Sequence, residues 1–164
     1  PGYGGALLAG FAATSAPWIV TMDADLSHPP TFIGDFWRRR GEAELLIASR
    51  FVPGGEAETS AFRLILSRVL NGTFRVILSL PVHDLSSGFR CYRREMLEGL
   101  HPAARDFDFL QEVLIRLHNG GARILEIPFH YRPRGAGRSH ARLLRFGWAY
   151  AKTLARMWRL RRGI

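Results

Sequence analysis

The feature that most constrains the fold is an apolar run at residues 18–22 that ends in the acidic triplet Asp23-Ala24-Asp25. Such a run predicts a buried strand that opens into a loop. Residues two apart on an extended segment point to the same side, so both carboxylates can face one cation. Hard oxygen ligands suit Mg²⁺ or Mn²⁺, which complete their shells with water and substrate phosphate oxygens. The triplet therefore predicts a metal site for a diphosphate, with Asp23 and Asp25 as ligands.

A second interpretation of the triplet stays open at this point. One aspartate would cap the helix that begins near Pro30, and the other would simply be solvated. Asp-x-Asp is a weak pattern by itself, and its position directly after a predicted strand is what favours the metal.

Helical and strand patterns alternate along the first part of the chain. A stripe within residues 6–12 predicts a helix before the first strand, residues 31–40 predict a short amphipathic helix, and residues 45–49 predict the next strand. This alternation implies an α/β fold with a mainly parallel sheet flanked by helices, and with ligands at the carboxyl ends of the strands. Asp25 and Arg50 both fall at such ends.

The rest of the chain continues with less regular patterns. Residues 53–59 have the composition of a mobile loop, which we expect to act as a flap over a ligand. Further elements are predicted as follows: a long helical periodicity over 61–80 broken at Asn71-Gly72, a turn and strand over 82–92, a helix over 109–118 and a strand over 124–131.

The charge balance is strongly basic, with 23 basic residues against 14 acidic ones and a formal net charge of +9. Such a charge attracts polyanions, which admits nucleic acid, an anionic membrane surface or a phosphorylated substrate as partner. Residues 141–164 combine aromatic and apolar residues with arginines, which predicts a basic amphipathic helix. On an anionic membrane surface each of its cations would contribute about 1 kcal/mol. The alternative is a helix packed on the domain with a solvated basic face.

The location follows from two further observations. Cys91 is the single cysteine, so no internal disulfide is possible, and a small buried hydrophobe in a reducing compartment is expected. No stretch reaches the roughly 20 apolar residues that span a bilayer. We therefore expect a cytoplasmic protein, peripheral at the cytoplasmic face of a membrane.

Five motifs occur in one order along almost the whole chain. They are Gly2-Tyr3-Gly4-Gly5-Ala6, Asp23-Ala24-Asp25-Leu26-Ser27-His28-Pro29, Ala48-Ser49-Arg50-Phe51, Asp84-Leu85-Ser86-Ser87-Gly88-Phe89-Arg90 and Arg132-Pro133-Arg134-Gly135-Ala136-Gly137-Arg138-Ser139. Together they resemble the polyprenyl-phosphate (dolichyl-phosphate) mannose synthases of the family 2 glycosyltransferases. The resemblance implies a GT-A-like (Rossmann-like) fold with a mainly parallel mixed sheet, a nucleotide-sugar donor, a divalent metal and a lipid-phosphate acceptor.

The chain departs from this family in two places. Family members begin with a strand, loop and helix that form much of the nucleoside pocket, and nothing precedes Pro1 here. The expectation is therefore a partial GT-A domain at 1–140 without its first βαβ part, followed by the basic helix at 141–164. The second departure is His140, where the family usually has lysine, so that less phosphate affinity is expected.

The resemblance also implies roles for individual residues. Arg50, Arg63 and Ser67 match positions near the acceptor phosphate, and Gln111 matches a helix near the sugar. The loop that closes over the donor phosphates is matched by Arg132, Arg134 and Ser139. Arginine forks suit phosphate oxygens, which adds Arg68 and Arg90 as substrate-binding candidates, and Gly88 would let the backbone approach substrate closely.

Asp84 matches an acidic residue beside the acceptor. In relatives that glycosylate hydroxyls, a carboxylate there serves as general base. A phosphate nucleophile is already ionised, so Asp84 would instead orient the acceptor or an arginine, and a plain turn role is the alternative. The histidines His83, His101, His118 and His130 have no spacing that suggests a zinc site and are interpreted as structural or surface residues.

The resulting hypothesis is an inverting glycosyltransferase that moves a hexose, mannose from GDP-mannose, onto a polyprenyl monophosphate. A second hypothesis keeps the fold and uses UDP-glucose or another donor, with a lipid-phosphate or saccharide acceptor. A third is a non-catalytic basic module that binds nucleic acid or membrane. A nucleic-acid module of this kind requires aromatic residues interleaved with cations on a sheet face or groove. In this chain those aromatic residues concentrate in the last helix, so no nucleic-acid partner is expected.

Overall fold

The computed structural model describes residues 2–106, 108–132 and 143–164, with side chains in the last range described from residue 151 onward. Its main sheet has four strands in the order β1-β4-β2-β5. Their bounds are Trp18–Thr21 for β1, Leu45–Ser49 for β2, Arg90–Arg93 for β4 and Ile124–Pro128 for β5. The short strands β3 (Glu56–Ala57) and β6 (His130–Tyr131) form a separate parallel pair.

Strand β4 runs against the direction of the other three strands. It pairs antiparallel with both β1 and β2, whereas β2 and β5 are parallel. The register explains the reversal, because Arg90 at the start of β4 lies opposite Ile47, near the end of β2. The chain thus leaves β2 and enters β4 at the same edge of the sheet, and β4 must run back. The predicted α/β fold with a mixed sheet is confirmed, and the reversed central strand is the part that was not predicted.

Alternate residues of β2 supply two apolar cores, one on each face of the sheet. Leu45 and Ile47 belong to a large core that includes Tyr92 and residues of the helices described next. Leu46 and Ala48 belong to a smaller aromatic core on the opposite face. All five residues of β2 are buried, as expected for a strand covered on both faces.

Five α-helices lie in the described part of the chain: α1 Tyr3–Ala13, α2 Ile33–Arg39, α3 Ala61–Leu78, α4 Phe109–Asn119 and α5 Leu143–Arg162. A 3₁₀ turn at Pro30–Phe32 precedes α2. Helix α3 is continuous, so the predicted break at Asn71-Gly72 is wrong. The buried Asn71 side chain donates to the Ser67 carbonyl at 2.8 Å and accepts the Leu85 N–H at 2.9 Å, which ties the helix to the following loop.

The predicted mobile loop at 53–59 and the predicted strand at 124–131 are joined. Glu56 N–H donates to the Phe129 carbonyl, while Phe129 N–H donates to the Ser49 carbonyl. The chain therefore changes partner at Phe129, which divides the expected strand into β5 and β6. The loop is attached to the segment that leads into residues 133–142, and these lie outside the described residues.

Helix α5 packs against α4 and α3. Met157 is fully buried in the large core, and Leu154 and Leu160 pack around it. Arg161 donates to the Leu78 carbonyl and to the Asn119 amide oxygen. The apolar face of the described half of α5 is thus covered by the domain, and the boundary expected near residue 140 stays a prediction. None of the helices in the described ranges combines the length and the apolar composition that a membrane span requires.

Candidate active site at the carboxyl edge of the sheet

Three segments meet where β1 and β2 end and β4 begins. They are the turn after β1, the residues after β2 and the loop at 83–89. The Thr21 hydroxyl donates to the Gly88 carbonyl at 2.8 Å, which joins the first and third segments. Arg50 bonds to Asp84, which joins the second and third. The predicted meeting of Asp25 and Arg50 at one edge of the sheet follows from this arrangement.

A tight turn shapes the acidic triplet. Asp25 Oδ1 accepts the Ser27 N–H at 3.1 Å and the Ser27 hydroxyl at 2.6 Å. Leu26 between them has φ 67°, a left-handed conformation that costs a branched side chain about 1–3 kcal/mol and is typical of functional sites. Neither Pro30–Phe32 nor α2 has a side-chain cap at its start. The interpretation of an aspartate as the cap of that helix is therefore wrong.

The two aspartates suit a divalent cation that is shared with a substrate. The Asp23 side chain is 48% exposed, so its carboxylate is open to a ligand. Within the described ranges, no three His, Cys, Asp or Glu side chains are grouped so as to hold a metal. This donor set fits Mg²⁺ or Mn²⁺, which bind through one or two carboxylates and take further oxygens from water and phosphate.

His28 binds the main chain of the acidic turn. It was not among the site residues predicted from the sequence. Its Nδ1 accepts the Asp23 N–H at 2.9 Å, and its ring stacks on Phe89 with centroids 4.7 Å apart. Burial lowers the pKa of His28, and the positive charge of Arg50 lowers it further against the opposing effects of Asp23 and Asp25. His28 is therefore neutral, with its proton on Nε2. That atom lies 4.0 Å from Asp23 Oδ2. Its position within the second motif was the available signal.

Gly88 leaves room for a tyrosine. A Cβ atom at Gly88 would lie 2.6 Å from the Tyr3 hydroxyl oxygen and 3.8 Å from Asp23 Oδ1. Burial and the nearby charge of Asp23 raise the pKa of Tyr3 to about 12. The close approach at Gly88 thus involves Tyr3 of helix α1, a residue for which no role was predicted. The expected contact between Gly88 and substrate stays a prediction.

Asp84 is fully buried and is bound on both oxygens. Oδ2 accepts the Arg50 Nε–H at 2.7 Å and the Arg50 main-chain N–H at 3.1 Å. Oδ1 accepts from Arg50 Nη2 at 2.8 Å and from the Ser86 hydroxyl at 3.0 Å. Burial opposes ionisation, but the hydrogen bonds and charge of Arg50 outweigh it and hold the pKa of Asp84 below its usual value. With about four acceptor positions on a carboxylate, Asp84 has no room for another proton donor.

Arg50 lies among aromatic and basic side chains. Its guanidinium carbon is 5.1 Å from the Phe51 ring centroid and 5.7 Å from that of Tyr131. The guanidinium carbon of Arg68 on α3 lies 5.9 Å from the centroid of the same Phe51 ring. The structure therefore brings Arg50 and Arg68 to one aromatic ring, which gives a basic cluster beside the acidic turn.

The other two candidates on α3 lie near this cluster. The Asn71 amide group is 3.4 Å from the Ser67 hydroxyl and 3.3 Å from that of Ser86, which also bonds to Arg50. Arg63 lies one turn before Ser67 and is exposed. Ser67 thus faces the loop that holds Arg50.

Arg90 has a different environment from the one expected. It is fully buried, and its guanidinium donates to the carbonyls of Ser87, Leu85 and Leu110 at 2.7, 2.7 and 2.9 Å. These bonds fix the loop to helix α4. The geometry gives Arg90 the task of holding the loop, and a direct contact with substrate stays a prediction.

The remaining candidates are only partly described. Gln111 Oε1 is buried and has no hydrogen-bond partner among the described residues. Arg132 is exposed and its Nε lies 3.5 Å from Glu58 of the flap. Arg134 and Ser139 lie outside the described residues, so their predicted place over the donor phosphates is untested.

Comparison with known sequences gives one consistent result. The model of glycosyl transferase family 2 matches residues 1–100. A polyprenol monophosphomannose synthase of Mycolicibacterium smegmatis is 36% identical over 144 residues, which are 83% of this chain and 54% of that protein. A dolichol-phosphate mannosyltransferase of Pyrococcus furiosus is 32% identical over 142 residues, which are 84% of this chain and 40% of that protein. The chain thus spans about half the length of these curated relatives, or less.

Solved structures with the same fold carry a metal and a nucleotide sugar. Glucosyl-3-phosphoglycerate synthase of Mycobacterium tuberculosis, in complex with Mn²⁺, UDP-glucose and phosphoglyceric acid, matches with a TM-score of 0.67 and 26% identity, over all of this chain and 56% of that one. The same enzyme with Mn²⁺ and UDP-glucose matches with a TM-score of 0.69 and 26% identity, over all of this chain and 55% of that one. The expected GT-A-like fold is confirmed.

Proposed function

Because the chain belongs to glycosyl transferase family 2, we propose that it takes part in transferring a hexose from a nucleotide sugar to a polyprenyl monophosphate. The donor we propose is GDP-mannose. Two relatives at 36% and 32% identity support this choice, since their names describe polyprenol and dolichol-phosphate mannosyl transfer.

The observation that carries the proposal is the saturation of Asp84. A hydroxyl acceptor needs a general base to take its proton, whereas a phosphate monoester is already ionised near neutral pH. Asp84 is the acidic residue expected beside the acceptor, yet four hydrogen bonds from Arg50 and Ser86 occupy it. Asp84 is held ionised and its acceptor positions are occupied, so it cannot also take a proton from a hydroxyl. This supports an acceptor that requires no general base, which is a phosphate.

The basic cluster suits the phosphate of this acceptor. Asp84 holds the Nε and Nη2 edge of the Arg50 guanidinium, and the guanidinium carbon of Arg68 lies 5.9 Å from the centroid of the same Phe51 ring that Arg50 approaches. We propose that Arg50 and Arg68, with Ser67 and Arg63 on the same side of α3, bind the lipid phosphate. Planar guanidinium groups match phosphate oxygens in a bidentate manner, which also directs the remaining oxygen toward the sugar.

The reaction is a single displacement with inversion. A phosphate oxygen of the acceptor bonds to the anomeric carbon, and the bond from that carbon to the donor diphosphate breaks on the opposite face. Asp23 and Asp25 would hold Mg²⁺ or Mn²⁺, which offsets the negative charge of the departing diphosphate. Neutral His28 keeps the turn in place without adding a positive charge that would compete for the aspartates.

Four further residues complete the donor side of the proposal. Arg132, with Arg134 and Ser139 beyond it, would close over the donor phosphates. The buried amide oxygen of Gln111 would accept a hydrogen bond from a sugar hydroxyl, because a buried polar atom without a partner is costly unless a ligand satisfies it.

Contact with the membrane is proposed through α3. Its outer face exposes Phe62, Ile65, Val69 and Val76, which are 64%, 62%, 58% and 77% exposed and follow helical spacing. Exposed Arg63, Arg68 and Arg75 lie on the same helix. An apolar stripe beside cations suits an anionic lipid surface. Helix α5 was expected to make this contact, but the apolar face of its described half is covered by α4.

A second candidate donor is UDP-glucose, since the similar solved structures contain it. The test is transfer of radiolabelled sugar to polyprenyl phosphate by the full-length protein, with GDP-mannose, UDP-glucose and UDP-N-acetylglucosamine compared in parallel. We expect a mannosylated lipid phosphate from GDP-mannose and none when the acceptor is the free polyprenol. Equal transfer to the polyprenol would contradict a phosphate acceptor.

A further inference from the structure

Glu126 is a buried carboxylate at the active-site edge, and none of the roles described above uses it. It lies on β5 opposite Ile47 of β2, and its side chain is 7% exposed. A buried carboxylate requires several donors to be stable. The identity of those donors indicates what the residue does.

Four donors surround Glu126, and all belong to the two segments that carry Arg50 and Asp84. Oε1 accepts the Ser49 hydroxyl at 2.6 Å and the Asp84 N–H at 2.9 Å. Oε2 accepts the His83 N–H at 2.8 Å and lies 2.9 Å from His83 Nδ1. Glu126 therefore fixes the last residue of β2 and the first two residues of the loop together.

This arrangement places Arg50 at the end of a short chain of hydrogen bonds that begins at Glu126. Glu126 holds the main chain of Asp84, and the Asp84 side chain holds both the main chain and the guanidinium of Arg50. Ser49, which Glu126 also holds, is the residue directly before Arg50. The arginine is thus constrained from its main chain and from its side chain, and both constraints lead back to one carboxylate.

We propose that Glu126, acting with His83, is a positioning residue that sets the direction of the Arg50 guanidinium toward the acceptor phosphate. The inference rests on the proposed function. Glu126 touches no substrate itself. It acts by keeping Asp84 at the distance at which Arg50 Nε and Nη2 stay bound to Asp84 and Ser86, which leaves Nη1 for the phosphate.

The experiment compares Glu126→Gln with Glu44→Gln in the full-length protein. Glu44 is a matched control because it also links β2 to β5, through Arg123 at the opposite edge of the sheet. In Glu126→Gln the amide N–H₂ would replace one carboxylate oxygen and face a main-chain N–H of His83 or Asp84. Because two donors do not bond to each other, the loop that carries Asp84 would shift. We expect the KM for polyprenyl phosphate to rise about 10- to 100-fold, as for a buried donor that loses its acceptor. The KM for the nucleotide sugar should stay within about twofold.

Three outcomes are separable. An equal acceptor KM in Glu126→Gln and Glu44→Gln, with active wild-type protein, overturns the positioning role alone. Absence of lipid-phosphate transfer by the wild type overturns the proposed function and this inference with it. If Glu126→Gln does not fold, as judged by thermal melting, His83→Ala decides. That variant removes only the Nδ1 contact and should raise the acceptor KM about 2- to 5-fold, and an unchanged KM overturns the inference.

Discussion

Two pairs of carboxylates lie at the same edge of the sheet and differ in burial and in what they bind. Asp23 and Asp25 occupy a turn after β1, and the Asp23 side chain is about half exposed. Asp84 and Glu126 are buried, and protein donors occupy their oxygens. The exposed Asp23 carboxylate can still take an external ligand, whereas the oxygens of Asp84 and Glu126 already bind protein donors on the segments that carry Arg50 and Asp84.

The difference has a physical cause. A buried carboxylate pays a large desolvation penalty and persists only with charged or hydrogen-bonded partners. Arg50 provides that partner for Asp84, and the His83 and Asp84 main chain provides it for Glu126. An exposed carboxylate keeps its hydration and can exchange water for a metal ion. Mutations in the two pairs should therefore affect different measured quantities.

The largest effect on activity is expected from Asp23→Asn. The amide has the same shape but lacks the charge that holds a cation against the diphosphate. We expect kcat to fall about 100- to 1000-fold, as for removal of one electrostatic contact of the transition state. Thermal stability should change little, because the side chain is half exposed. The assay is sugar transfer at saturating Mn²⁺, with Asp35→Asn on α2 as control. A variant as active as wild type would show that Asp23 is no metal ligand.

The largest effect on stability is expected from Asp84→Asn. The substitution removes the charge that neutralises Arg50, and breaking a buried ion pair costs about 3–5 kcal/mol in the free energy of unfolding. Urea denaturation measures this quantity. As control, Glu42→Gln breaks the exposed pair with Arg39 and should change the stability little. Similar urea midpoints for the two variants would mean that Asp84 and Arg50 do not stabilise each other.

Vesicle binding should distinguish the two faces proposed for membrane contact. We expect Phe62→Ser combined with Ile65→Ser to lower binding to anionic vesicles about tenfold, because these exposed side chains would enter the lipid boundary. Lys152→Gln combined with Arg159→Gln on α5 should lower it less. Co-sedimentation measures the bound fraction. The opposite order of effects would return the contact to α5, as the sequence first indicated.

A smaller effect is expected from pH, through His28. Its folded pKa lies below the usual value, so the unfolded chain takes up the proton first as the pH falls. The stability linked to His28 is complete above a pH of about 6.5 and is lost as the pH falls toward the folded pKa. His28→Asn keeps an acceptor for Asp23 N–H without titrating. The free energy of unfolding of the variant should therefore fall less than that of the wild type as the pH drops below about 6.5. Parallel pH curves would assign the titration elsewhere.

The local features of this fold were predictable, and the long-range pairings were not. The strand at residues 18–22 and the acidic triplet follow from an apolar run and its abrupt end. The reversal of β4 depends on which sheet edge the chain returns to after α3, and no local pattern contains that. The apolar periodicity of α3 was visible, but a stripe does not reveal whether it faces the core or solvent.

The same limit applies to the site. Asp84 was selected through the family resemblance, whereas its saturation by Arg50 is a contact between residues 34 positions apart. Glu126 bonds to a residue 43 positions away and belongs to none of the five motifs. His83 was interpreted as a structural or surface residue, because its spacing in the sequence suggests neither a zinc site nor a catalytic triad and does not reveal its contact with Glu126. Partners of this kind appear only when the strands are assembled.

Metal binding in the presence of a nucleoside diphosphate is the measurement that most directly tests the proposed difference between Asp23 as a metal ligand and Asp84 as a partner of Arg50. Titration of Mn²⁺ into the full-length protein with GDP, followed by electron paramagnetic resonance, reports the bound cation for the wild type, Asp23→Asn and Asp84→Asn. We predict that Asp23→Asn abolishes diphosphate-dependent Mn²⁺ binding and that folded Asp84→Asn retains it. If Asp23→Asn retained Mn²⁺ binding and folded Asp84→Asn lost it, the assignment of the metal to Asp23 would be contradicted.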